Sequence, residues 1–171
     1  SGLDGSGIDR LYLAGVNQPV RFEGAVTLDL PRALQIETAQ IEVGPLGGVA
    51  PQVRLSAGYL LLNGAIVDPF LATEPASGTL ELSGGWIDLL GGLALRGAAA
   101  VTLDSATDIR LVGTVPDATD GEFGRVRGTL DSQGDLSLRA SQVYTATGAS
   151  FRLNAAGAPG EAGRTIRIEG L

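Results

Sequence analysis

The residues of this chain whose types could do chemistry are carboxylates. Two carboxylates, one protonated and one ionised, suffice to hydrolyse a glycosidic bond, and Asp88, Asp104, Asp108 and Asp131 are the candidates. Asp88 is the middle of the triplet Ile87-Asp88-Leu89, which turns it toward water, and Asp104 and Asp108 flank the turn-like Ser105-Ala106-Thr107. A solvated face or a turn is therefore the reading for these side chains. No aromatic platform accompanies them in the sequence, where one Trp, three Tyr and four Phe are spread over 171 residues. The chain has no His and no Cys, which excludes Ser-His-Asp triads, thiol nucleophiles and zinc sites built from those ligands. Asp117-Ala118-Thr119-Asp120-Gly121 lacks the alternating ligands and closing Glu of a calcium loop. Gly2, Gly5 and Gly7 precede no helix that could cradle a phosphate. The expectation is no catalytic residue, no metal and no cofactor: not an enzyme.

Apolar residues at outward positions are the other candidates. Trp86 follows Gly84-Gly85 and precedes an inward Ile87, and Leu61 is the outward member of Leu60-Leu61-Leu62. With Phe70, Leu71 and Phe123 they form the set expected to meet a partner or to pack beneath a loop.

The elements that would position these residues follow a period of two. Leu11-Tyr12-Leu13, Val20-Arg21-Phe22, Leu80-Glu81-Leu82, Val101-Thr102-Leu103 and Ile166-Arg167-Ile168 are among many apolar–x–apolar triplets, so short strands bury one side and wet the other. Twenty-six Gly separate them with frequent turns. A repeat near 21 residues relates Leu13, Leu34 and Leu55, Val20 and Ile41, Phe22 and Val43, Leu80 and Val101, and Leu82 and Leu103. The expectation is all-β: a right-handed parallel β-helix with about 21 residues per three-strand rung, those leucines stacked in inward columns. One such segment spans 1–171, with loops extruded at 64–78 and 114–124 and a smaller excursion at 157–164. No helix is expected.

The run Thr79 to Gly113 (TLELSGGWIDLLGGLALRGAAAVTLDSATDIRLVG) and the run Gly134 to Gly157 (GDLSLRASQVYTATGASFRLNAAG) resemble the filamentous haemagglutinin-like exoproteins of two-partner secretion. The resemblance covers the second half well and the first half in style. It implies a β-helix shaft, export through an outer-membrane partner barrel, and a role in adhesion or cell–cell contact. The Asn-Pro-Asn-Gly-type motif of that family's secretion domain is absent, which makes these residues shaft.

Charge and composition bound the partners. Nineteen acidic against twelve basic residues, all Arg, give −7, which repels phosphate backbones and argues against nucleic acid. No apolar run is long enough for a membrane-spanning helix, and the strands are shorter than an outer-membrane barrel needs. The chain begins at Ser1 and has no Met; it reads as an internal piece of a longer secreted or cell-surface protein, or as a processed product, with neighbouring β-helix segments end to end and an unidentified receptor. The alternatives are a self-assembling filament subunit, since uncovered β-helix ends expose strand edges, and a polysaccharide-processing β-helix enzyme.

Overall fold

The computed structural model describes residues 7–15, 17–64, 75–116, 125–157 and 163–171. These form an all-β structure with no helix. In chain order the strands are β1 (Arg10–Gly15), β2 (Val20–Glu23), β3 (Ala25–Thr38), β4 (Gln40–Gly44), β5 (Gln52–Gly64), β6 (Thr79–Arg96) and β7 (Ala100–Ser105). They continue as β8 (Asp108–Val112), β9 (Val115–Pro116), β10 (Val126–Ser132), β11 (Asp135–Ala140), β12 (Gln142–Thr145), β13 (Ala149–Ala155) and β14 (Ile166–Gly170). All fourteen belong to one sheet, whose strand order runs from β1 to β14 without closing on itself.

Every pairing is parallel except that of β9 with β10. Parallel neighbours need a crossover between them. Here the crossover is made of further strands, because the pairs sort into three ladders. The first stacks 25–30 of β3, 52–57 of β5, 79–84 of β6, then β7, β11 and β14. The second stacks β1, 33–38 of β3, 59–64 of β5, 86–91 of β6, then β8 and β12. The third stacks β2, β4, 92–96 of β6, then β10 and β13. The chain feeds the first ladder, then the second, then the third, and returns to the first. On the pass through β5 no described strand enters the third ladder, and β4 pairs directly with β6.

The alternation of the sequence sets which side is buried. Inward rows of fully buried aliphatics run across the strands: Val53, Leu80 and Val101; Leu55, Leu82 and Leu103; Leu60, Ile87 and Ile109. They join Leu34, Ile36, Ile41, Leu95, Leu130, Leu136 and Leu138 in a single hydrophobic cluster. Each fully buried side chain of this kind contributes roughly 1.5–3 kcal/mol relative to exposure.

The register departs from a uniform repeat of 21. Val20 pairs with Ile41, Phe22 with Val43, Leu80 with Val101 and Leu82 with Leu103, at that spacing. Leu13, however, lies against Ile36, and Leu34 against Leu11 and Leu60. Leu55 lies against Leu28 and Leu82. The column Leu13–Leu34–Leu55 does not exist. Turns between ladders absorb extra residues, so the spacing grows wherever one is inserted. One such turn, unforeseen in the sequence, is the Leu46–Val49 bridge around Gly47 and Gly48, which leaves Leu46 and Val49 exposed.

Of the loop expected at 64–78, Gly64 ends β5 and 65–74 lie outside the described residues. Of that expected at 114–124, Val115 and Pro116 are instead strand, paired antiparallel with Arg127 and Val126, and 117–124 lie outside. In the excursion at 157–164, residues 158–162 lie outside.

Candidate functional site

The outward side of the second ladder is where the sequence-distant aromatics meet. One outward row runs Tyr12, Gln35, Leu61, Asp88, Arg110, Tyr144, each in register with the next. A neighbouring row places Tyr59 directly beside Trp86. All three tyrosines and the single tryptophan of the chain therefore share one face. Strand pairing brings this about, because inward Leu60, Leu62, Ile87, Leu89, Ile109 and Leu111 force the residues between them outward.

Asp88 is at its centre, and it corrects the expectation of a solvated carboxylate: it is only 3% exposed. Four donors surround it. The Tyr59 hydroxyl donates to Oδ2 at 2.7 Å and the Trp86 indole N–H to Oδ1 at 2.8 Å. The Arg110 guanidinium grips both oxygens, Nε to Oδ1 at 2.9 Å and Nη2 to Oδ2 at 2.7 Å. Arg110 also lies over the Trp86 ring, 5.9 Å from its centroid, within range for a cation–π attraction. Burial pushes the Asp88 carboxyl up, but the hydrogen bonds from Arg110, Tyr59 and Trp86 outweigh it and hold it below the usual carboxylate range. Burial, then the bond to Asp88, pushes the Tyr59 phenol up to about 12. The bond to Asp88 raises Arg110 in turn.

A carboxylate fixed in its ionised form by four donors has little capacity left to take up or deliver a proton. Its work is positional: it fixes Tyr59, Trp86 and Arg110 in one arrangement across three successive strands of the ladder.

The other carboxylate candidates are elsewhere. Asp104, on the first ladder, accepts from Arg139 Nη1 at 3.5 Å. Asp131, on the third, accepts from Asn154 Nδ2 at 3.0 Å. Asp108 begins β8, and its carbonyl accepts from the Ser105 hydroxyl at 2.9 Å. Among the described residues no three acidic side chains group closely enough to hold a metal ion.

Leu61 is half-buried between Gln35 and Asp88, and Trp86 is half-buried with its N–H engaged. Phe70, Leu71 and Phe123 lie outside the described residues. Sequence reasoning missed Tyr59 and Arg110 as neighbours of Trp86, and Tyr144 as the neighbour of Arg110. The signal was the spacing of apolar triplets in adjacent strands, which sets the register once the true repeat is known.

An open groove of about 500 Å³ adjoins this face, where the first ladder turns into the second. Asp29, Ser56, Ser83 and Asp104 line it in one in-register row, beside Gly58 and Gly85. Tyr59 and Trp86 are the next residues in the chain after those glycines.

Comparison with family models, curated proteins and solved structures gives no match in any of the three.

Proposed function

We propose that the chain is a segment of a right-handed parallel β-helix serving as the rigid shaft of a large secreted, surface-exposed exoprotein of the filamentous haemagglutinin-like kind, exported through a partner barrel and engaged in adhesion or cell–cell contact. The observation that carries the reading is the order in which the chain feeds its three parallel ladders around continuous rows of buried aliphatics. Such stacking makes stability a sum of nearest-neighbour terms and resists bending, which suits a spacer. The outward sides of the first and third ladders carry short-range ion pairs, Arg54 with Glu81 at 2.9 Å and Arg21 with Glu42 at 3.0 Å, suited to remaining in water. At ~4.8 Å per pass the segment contributes about 30 Å of length. Deleting it from the parent exoprotein should shorten the surface filament by about that amount in electron micrographs while secretion continues. A filament of unchanged length, or loss of an enzymatic activity on deletion, would contradict the reading.

A second reading, end-to-end self-association, draws on β14. Ile166 and Ile168 sit in register with buried Leu136 and Leu138, yet they are 40% and 57% exposed. Sedimentation over a dilution series separates the two: an isolated shaft segment stays monomeric, and a filament subunit dissociates as it is diluted.

A further inference from the structure

The corner groove and the aromatic row beside it together have the chemistry of a carbohydrate site without the chemistry of a glycosidase. We propose that this strip, formed by the row Asp29, Ser56, Ser83, Asp104 and by Tyr59 and Trp86 across the corner, binds an extended, uncharged polysaccharide lying along the strand stack. The inference is independent of the shaft reading.

Three observations lead to it. The groove is long rather than deep, crossing four successive strands of the first ladder. Its lining carries hydroxyls and carboxylates, which exchange hydrogen bonds with sugar hydroxyls, and past Gly58 and Gly85 the chain continues into Tyr59 and Trp86, whose rings are of the kind that cover the apolar faces of pyranoses. Gly58 and Gly85, both in its lining, let these strands pass closely, for a Cβ on Gly85 would come within 2.6 Å of the Gly58 carbonyl oxygen.

Charge decides the class of sugar. Asp29 and Asp104 line the groove, and the chain as a whole carries −7, so a sulfated or uronic chain is repelled. The four donors on Asp88 decide against hydrolysis, because that carboxylate is committed to holding Tyr59, Trp86 and Arg110. Preorganised aromatics lose little entropy on binding.

Trp86, the only tryptophan, reports on the site directly. The 171-residue chain is titrated with neutral hexasaccharides (cello-, manno-, malto- and N-acetylchitohexaose) and with hexagalacturonate as the anionic control, following Trp86 emission and the amide shifts of Gly58 and Gly85. The expected result is a saturable response to at least one neutral sugar, with no cleavage, weakened tenfold or more by Ser83→Leu, which fills the groove, and by Tyr59→Ala. Circular dichroism confirms that each variant folds. The proposal is overturned if no neutral sugar moves either signal, if only the anionic sugar does, if Ser83→Leu binds as well as the parent, or if emission changes with protein concentration alone, which would make the face a self-association surface.

Discussion

At the scale of single residues the stability of the outward face turns on Asp88. A buried carboxylate is tolerated only when its hydrogen bonds replace lost water, and here Tyr59, Trp86 and two N–H groups of Arg110 do so. Arg110 is itself 42% exposed, so solvent screening discounts its share of the ion pair. Replacing Asp88 with Ala strands the donors of half-buried Tyr59 and Trp86 and should cost about 2 kcal/mol, read as a lowered denaturant midpoint at unchanged slope. The pH dependence carries opposite signs for the two titrating partners. The Asp88 carboxyl is depressed in the folded state, so its contribution is present above the ordinary carboxylate range and disappears as pH falls through its folded value. The Tyr59 phenol is raised from 10 to about 12, so its contribution is intact below 10 and lost between 10 and 12. Stability measured from pH 9 to 12 should fall less steeply in Tyr59→Phe. That Trp86 and Leu61 point outward was legible from the alternation. That Asp88 is buried was not, because its partners Tyr59 and Arg110 are 29 and 22 residues away, and nothing local announces them.

At the scale of elements the corners determine register. Where the chain turns from the first ladder into the second, the buried Ser105 hydroxyl bonds the Asp108 carbonyl and accepts from the Thr107 N–H at 3.4 Å. Thr38 caps the corner into the third ladder, accepting from the Gln40 N–H at 3.2 Å. Ser105→Ala should cost about 1 kcal/mol by removing the hydrogen bond that the buried hydroxyl donates to the Asp108 carbonyl. Gly97 is more demanding: its φ of 85° lies in the left-handed region, and a Cβ there would run into the Val43 carbonyl oxygen. Gly97→Ala should therefore lower the thermal midpoint well beyond the ordinary helix-or-strand cost of about 1 kcal/mol. The strands were readable as period-two triplets, and the 21-residue spacing was readable where no turn intervenes, as from Leu80 to Val101. It failed between Leu28 and Leu55, because a corner can take in the Leu46–Val49 turn without disturbing the rows it connects. Apolar spacing records the face that each residue occupies, and only indirectly how many residues lie between passes.

At the scale of the whole molecule, each pass of chain touches the passes before and after it, and β4 reaches across the β5 pass to β6, so cohesion is uneven. Leu82, fully buried between Leu55 and Leu103, has neighbours on both sides; Leu82→Ala should cost about 3 kcal/mol or more through lost burial and the cavity left behind. Ile168, in the inward row but covered on one side only, should cost less than about 1 kcal/mol when replaced with Ala. Equal losses at the two positions would mean that the last strand is covered in solution. The central claim is that successive passes lie parallel, in three ladders, at the registers given above. Backbone amide NOEs from an isotopically labelled sample test it most directly. Parallel-strand contacts should join Leu55 to both Leu28 and Leu82, Ile87 to both Leu60 and Ile109, and Leu130 to both Leu93 and Leu153. Close Hα–Hα contacts between antiparallel sequence neighbours in these places, or contacts joining Leu13 to Leu34 and Leu34 to Leu55, would contradict it.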